Sequence, residues 1–426
     1  MGKLLMWDVI HQRSALIREP NEVRILRLVR DQGPISRIEL ARLTGLNKST
    51  VTDLVVKLMQ TGFLEETGIK EAHEKVGRKR VLLKFLPLAG IVAGIDIGML
   101  RATIAIADLN ARILQQETFS YSLTAPAEEV IAQAAVTIRS LLTAAGFPSS
   151  KLVGIGIGVQ GLIDYTTNAL LFCYNKPSWH GKSLSAHLES QFNVPVIVEN
   201  DVKTMALGEY LLGAAKGTKN FVHLFVGDGI GAGIIVNGHL YRGFTSSAGE
   251  VGYTPLDVPS FYKEKFPLTY RNQSIFGEIL TNANFIESYL KHAPRSNDAE
   301  LTVAAIVQSA KNGDTVAMQV IEEFTSLLSI LCINIVNTLN PEIIIVGGQI
   351  IQHYPHAADM LREKIHKDLL AIPAEAVRVT TAKHGENGIL LGAAGLILYE
   401  LFEPLHTVSL RAARRQHVAV AGAVEQ

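Results

Sequence analysis

The sequence predicts an α/β protein in two parts, an N-terminal winged helix-turn-helix domain followed by a two-lobed α/β body. Two observations carry this expectation. Residues 36–59 read as a helix, a glycine turn and a second helix. Further on, the order strand, glycine turn, returning strand opens the body at 91–109 and begins again at 220–236, as in a duplicated fold. The chain has 426 residues, 48% of them hydrophobic and 19% charged, enough for large buried cores and more than one domain.

Residues 1–20 read as an amphipathic arm, and residues 21–86 as the winged-helix domain. Val23, Ile25, Leu26 and Val29 give a preceding helix an apolar stripe. Ser36 is placed to cap the next helix, with Glu39 three residues on to complete a capping box. Gly45 supplies the turn, because a residue without Cβ accepts positive φ. Asn47 is placed to cap the second helix, where Val51, Leu54, Val55 and Leu58 recur at helical spacing. Its other face carries Lys48, Ser49, Thr50, Thr52 and Asp53. In a helix-turn-helix this second helix enters the major groove. An ordinary helical hairpin is the competing reading, and the flanking segments argue against it. Gly62–Leu64 and Gly77–Leu83 read as two strands joined by a charged loop, a wing whose tip bears Arg78, Lys79 and Arg80. The candidate contacts to double-stranded operator DNA are therefore Ser36, Asn47, Lys48, Ser49, Thr50, Thr52, Arg78 and Lys79. Net charge is zero, so the positive field must be local, and 24–80 holds a modest excess of Arg and Lys.

Pro87–Gly90 reads as a junction to the body, with a first lobe over 90–215, a second over 216–400 and a C-terminal tail over 401–426. Strands are expected at 91–98, 103–109, 151–160, 194–201, 220–226, 232–236, 342–346 and 377–382. Helices are expected at 128–145, 184–192, through Met205 and Leu212, and at 281–290, 303–312, 315–338 and 388–401. Ligands of such sheets gather beyond the strand ends, here in a cleft between lobes. Asn200 and Asp201 close one strand; they read either as ligand-binding groups or as the N-cap of the following helix. The two cysteines, Cys173 and Cys332, exclude a disulfide framework. The N-terminus lacks a signal-peptide pattern, and no charge-free run of about 18 apolar residues is evident, so a cytoplasmic protein without a membrane span is expected.

Taken together, GIDIG at Gly94–Gly98, GVQGLID at Gly158–Asp164, VENDVKTMALGE at Val198–Glu209, VGDGIGAGIIVNGHLYRG at Val226–Gly243 and AGEVGY at Ala248–Tyr253 resemble the ROK family of repressors, open reading frames and sugar kinases. The resemblance covers almost the whole chain and implies an actin-like ATPase body. Kinases of the family generally lack a winged helix and repressors carry one. The implied function is thus a DNA-binding transcriptional repressor of carbohydrate genes, of the xylose, N-acetylglucosamine or glucose type, working as a homodimer or homotetramer. The resemblance places sugar contacts at Gly161, Asn200, Asp201, Glu250, Tyr253 and, through a loose alignment, Glu278. Asp201 stands where the kinases hold their base. Asn175 and His180 in NKPSWHG are candidates to border the pocket, with an ordinary loop position the favoured reading of His180.

Three departures from the family pattern modify the expectation. The zinc-ligand His of many members is Tyr253 here, and 258–279 contains no Cys, so no structural zinc is expected. Phe261, Tyr262, Phe266 and Tyr270 are expected to hold that loop by packing. The first phosphate turn reads Asp96-Ile97-Gly98-Met99-Leu100, without the hydroxyl of the kinases. The second reads Gly227-Asp228-Gly229, an anion facing the place of phosphate. Neither a catalytic residue nor a cofactor is therefore expected. The alternatives are a sugar kinase that keeps a DNA-binding module, and a repressor controlled by a sugar-transport protein.

Overall fold

A computed structural model of the chain describes residues 20–70, 80–256, 275–293 and 301–402. The expected arm, the wing tip with Arg78 and Lys79, the packing loop with Phe261, Tyr262, Phe266 and Tyr270, and nearly all of the tail lie outside these residues. The chain groups into two compact units, the winged-helix region falling in the first. One comprises residues up to 157 with 163–198 and from 393 on; the other comprises 158–162 and 199–392.

The first unit opens with α1 (Pro20–Gln32), β1 (Ile35–Ser36), α2 (Arg37–Thr44), α3 (Lys48–Gln60), β2 (Leu64–Lys70) and β3 (Arg80–Phe85). Ile25, Leu26, Leu40, Val51, Val55 and Leu58 meet in the middle, all fully buried. Each such side chain contributes about 1.5–3 kcal/mol relative to exposure. The Arg24 guanidinium donates to the carbonyls of Thr44 (2.8 Å) and Leu43 (3.1 Å), closing the end of α2. Buried Glu22 receives the Lys57 ammonium, tying α1 to α3. β3 lies between β1 and β2, with Leu64 opposite Phe85 and Lys70 opposite Arg80. The helix-turn-helix and the two wing strands thus form as the pattern predicts; β1, only two residues long, carries no periodicity by which to be found.

Next come β4 (Ile91–Ile97), β5 (Arg101–Asp108), β6 (Ile113–Ser120), α4 (Ala127–Ala144), β7 (Leu152–Val159), β8 (Leu162–Asp164), β9 (Ala169–Phe172), α5 (Ala186–Phe192), β10 (Val196–Asn200) and α6 (Asp201–Leu212). The five-stranded sheet runs in the order β10-β7-β4-β5-β6. The remaining elements are β11 (Phe221–Val226), β12 (Ile230–Val236), β13 (His239–Leu240), α7 (Phe276–Ile279), α8 (Asn282–His292), α9 (Val303–Lys311), α10 (Thr315–Leu339), β14 (Ile343–Gly347), α11 (Gln349–His353), α12 (His356–Asp368), α13 (Ala371–Ala376), β15 (Arg378–Thr381) and α14 (Gly388–Phe402). Their sheet has the order β13-β12-β11-β14-β15. In each sheet an antiparallel three-strand meander leads and two crossover strands extend it on the far side, so the expected duplication is present.

α10 is long and apolar enough to cross a membrane by length and composition, although Glu322 and Glu323 and several Ser, Thr and Asn residues interrupt it. Its Val320, Ile321, Phe324, Leu327, Leu328, Leu331 and Cys332 instead enter the core of the second unit with Phe276, Phe285 and Ile344. At the end of α14, buried Phe402 packs edge-on to Phe85 (6.0 Å between ring centres) and lies under the Arg30 guanidinium at 4.0 Å.

Candidate functional site

Two surfaces collect the predicted residues. The first is α3. The Asn47 side chain accepts from the Thr50 N–H at 2.8 Å and caps the helix, while the left-handed Gly45 (φ 72°) ends α2. The turn therefore holds α2 and α3 by satisfied backbone groups at both ends. Val51, Leu54, Val55 and Leu58 face the core, and Lys48, Ser49, Thr52 and Asp53 stand exposed. Thr50 is half-buried. The Ser49 hydroxyl donates to the Asn47 side chain (2.8 Å) and the Thr52 hydroxyl to the Lys48 carbonyl (2.8 Å), so the helix itself orients both. Ser36 is a correction. Its hydroxyl is buried and donates to the Glu39 carboxylate at 2.7 Å within a complete capping box. The very cap that the sequence announces withdraws it from a DNA surface. Arg37, which sequence reasoning passed over, bridges α2 to the wing through Glu66 at 2.9 Å.

The second surface lies where β10 ends and α6 begins. Gly161, at φ 120°, needs the freedom of glycine, and its carbonyl accepts from the Asn200 amide at 3.1 Å. The Asn200 carbonyl oxygen accepts from the N–H groups of Val202 (3.0 Å) and Lys203 (3.1 Å). The N-cap reading of Asn200 is thus realised. Its oxygen is saturated, and what it can offer a hydroxyl is a remaining amide proton. Asp201 accepts from the Val202 N–H at 2.9 Å. Desolvation raises its carboxyl to about 6, with the Glu250 charge adding to the rise and the Val202 N–H opposing it.

Glu250 follows Gly249, whose φ of 94° and position 1.9 Å from the Ala232 carbonyl (measured from an added Cβ) exclude any side chain. The Glu250 carboxyl is also raised, by desolvation, and Lys203 pulls it back down. Glu250 is exposed, and Tyr253 is 66% exposed. Glu278, also exposed, rides on α7, whose Gly277 abuts Gly252: an added Cβ there would sit 3.1 Å from the Gly252 carbonyl. Gly161, Asn200, Asp201, Glu250, Tyr253 and Glu278 therefore belong to one unit. Two carboxylates and an amide at strand and helix ends can accept and donate hydrogen bonds to a polyhydroxylated ligand.

Sequence reasoning missed the cations woven through this site. Arg242 pairs with buried Glu199 at 2.6 Å, and Glu199 accepts from the Asn200 N–H at 2.9 Å. Lys203, almost completely buried, donates from its ammonium to the Ser246 carbonyl. The signal was present in VENDVKTMALGE as a lysine among apolar residues, with no role assigned to it.

The two glycine turns differ in accessibility. In the first, the Gly98 N–H donates to the Arg101 carbonyl at 3.0 Å and Leu100 is 53% exposed. The Gly98 carbonyl accepts from the Tyr121 hydroxyl, which also receives the ammonium of buried Lys176. Lys176 lies 4.3 Å from the ring centres of both Tyr121 and Trp179, and desolvation lowers it to about 8. In the second, the Gly227 N–H donates to the Gly229 carbonyl at 2.8 Å and Asp228 is exposed. An exposed carboxylate is well screened, so its repulsion toward phosphate sits at the low end of the expected range. His180, read as a loop residue, lies in a turn, and its ring Nε2 sits 3.0 Å from both the N–H and the carbonyl of Cys173, clasping the ends of the 173–180 loop.

Comparison with known proteins adds relatives to this geometry. The model of the ROK family matches residues 92–400, and that of the MarR family matches residues 19–68. The chain is 29% identical over 386 residues to the xylose repressor of Bacillus spizizenii, spanning 90% of this chain and 96% of the relative. It is 28% identical over 400 residues to a putative xylose repressor of Caldicellulosiruptor sp., spanning 91% and 97%. The crystal structure of a ROK family transcriptional regulator, a homologue of the E. coli Mlc protein, superposes with a TM-score of 0.77 at 23% identity, over 90% of this chain and 96% of that one.

Proposed function

The chain belongs to the ROK family, and from that premise we propose that it is a DNA-binding transcriptional repressor of carbohydrate genes that senses a sugar. The observation that carries the reading is the coexistence of an exposed, capped α3 with the Asn200, Asp201 and Glu250 cluster in one chain. Relatives called xylose repressors at 28–29% identity along nearly their whole length support it. In this reading Lys48 meets phosphate, while Ser49, Thr50 and Thr52 meet base edges or backbone oxygens. Arg78 and Lys79 add affinity from the wing. Symmetric dimers place two recognition helices about one DNA turn, or a multiple of it, apart, so the operator is a palindrome.

The sugar occupies the Asn200, Asp201 and Glu250 site beside Gly161, with Tyr253 and Glu278 at its border. A ligand shifts DNA affinity only by binding one conformation better than another, so the effector must discriminate between the operator-bound and released forms. Phosphoryl transfer is not part of the function. The hydroxyl donor expected of a phosphate turn is replaced by Met99 and Leu100 in one turn and by Asp228 in the other. Asp201 then serves as a hydroxyl acceptor and not as a base.

Fluorescence anisotropy of a labelled promoter fragment, with and without D-xylose and D-glucose, tests the proposal. The expected result is salt-sensitive binding relieved by one of the sugars. No binding to any promoter near the gene, together with ATP consumption on a sugar, would overturn it and favour a kinase that carries a DNA-binding module. Operator binding untouched by every sugar, with a flat calorimetric titration, would favour control by a protein partner.

A further inference from the structure

We infer that Lys203 is a positioning residue of the sugar site, its ammonium clamping the loop that carries Glu250 onto the first turn of the helix that carries Asn200 and Asp201. The inference rests on the reading of those three residues as the sugar site. Lys203 lies in the first turn of α6, with its N–H held by Asn200 at 3.1 Å and its side chain only 2% exposed. Desolvating an ammonium is unfavourable unless compensating partners surround it. A methionine of similar length would pack there without that penalty, so core filling alone does not account for a lysine.

What the ammonium touches does account for it. It donates to the carbonyl of Ser246, four residues before Glu250 in the chain. Ser246 is a non-glycine residue at φ 62°, a conformation that persists only where its surroundings hold it. The same loop is pinned further along, where Ala232 N–H donates to the Gly249 carbonyl at 2.8 Å. Between these two anchors the backbone has little freedom, and Glu250 emerges directly after the second.

The charges facing Lys203 come from three elements: Glu199 from β10, Asp201 from its own helix, and Arg242 with Glu250 from the segment after β13. Arg242 pairs with Glu199 at 2.6 Å. Lys203 faces Glu199, Glu250 and Asp201, and its charge favours the ionised form of the Glu250 carboxyl against the desolvation that raises it. Without it the Glu250 carboxyl loses the charge that favours its ionised form and its loop loses an anchor, and both change what a sugar hydroxyl meets.

The test uses the full chain and three variants. Lys203→Met keeps length and removes charge, Lys203→Gln keeps a donor, and Lys203→Arg keeps the charge. Two measurements need no ligand: the pH titration of the Glu250 carboxyl by carbon NMR, and hydrogen exchange of the amides from Ser246 to Glu250. In Lys203→Met, Glu250 is expected to titrate at least one pH unit higher and those amides to exchange at least tenfold faster, while the melting temperature holds or rises. Lys203→Arg is expected to restore most of the titration shift and Lys203→Gln part of the amide protection. Calorimetry with D-xylose and D-glucose should then show at least tenfold weaker binding by Lys203→Met. An unchanged Glu250 titration together with unchanged exchange would overturn the role of Lys203, and the Gln and Arg variants decide the matter should the Met variant not fold. A flat sugar titration of the wild-type chain would instead overturn the sugar-site reading, with the ligand-free measurements still deciding for or against the clamp.

Discussion

Asp201→Asn should make the protein more stable at neutral pH while destroying its response to sugar. Burial raises the Asp201 carboxyl from 3.8 to about 6. A shift of that size corresponds to about 3 kcal/mol between protonated and ionised forms. Asp201 retains partial access to solvent, which screens the charge, so about 1–2 kcal/mol is the expected gain at pH 7. The sign follows from linkage. The folded state holds a proton between pH 3.8 and about 6 that the unfolded chain has released, so this group's contribution to stability falls as pH climbs through that window. Below it, both states are protonated and the difference vanishes. An asparagine carries no charge to desolvate, and its carbonyl oxygen can still accept from the Val202 N–H, now held at 2.9 Å. Urea unfolding of both proteins at pH 4, 5.5 and 7.5 measures the effect. The informative quantity is the gap between the two midpoints as a function of pH, because a chain of several domains need not unfold in two states. A gap that opens in favour of the variant from pH 4 to 7.5 supports the reasoning. A variant less stable at pH 7.5, or a gap constant across pH, refutes it.

Other substitutions probe neighbouring claims. Gly249→Ala forces a Cβ to within 1.9 Å of the Ala232 carbonyl and should abolish sugar binding with a large fall in melting temperature. Gly45→Ala meets nothing within 4 Å and should cost only the left-handed strain of about 1–2 kcal/mol; equal losses from the two would discredit the distinction. Lys48→Ala should weaken operator binding across all sequences and lower the slope of log affinity against log salt by about 1, as read by anisotropy at several salt concentrations. A coupled assay with ATP over a sugar panel should show no turnover, and turnover lost on Asp201→Asn would return the chain to the kinases.

Much of this architecture is legible in the residues because local signals and burial agree. The Ser36 and Asn47 caps, the Gly45 turn and the 3.6-residue spacing of α3 are short-range devices, and each appears where the sequence places it. The repeated glycine turns likewise announce the two sheets of matching order. What escaped is of two kinds. β6, β8 and β9 are strands without a clear alternation of buried and exposed positions, β6 being exposed along most of its length. Lys176 and Lys203 escaped for the opposite reason. A lone lysine looks like surface in any linear reading, and only the fold reveals aromatic rings around one and carboxylates around the other. Ser36 shows the converse error, since a residue type that suits a DNA backbone suits a buried cap equally well.

The placement of Phe402 bears on how this molecule can be dissected. Its ring fills a notch lined by Phe85 and Arg30, so the last described turn of the chain completes the hydrophobic seal of the module at its beginning. A fragment ending at the Pro87 junction would carry every residue of the recognition helix yet lose the ring that packs against Phe85. The head of this protein is stitched shut by its own far end, and attempts to study the reader in isolation should bring that last helix along.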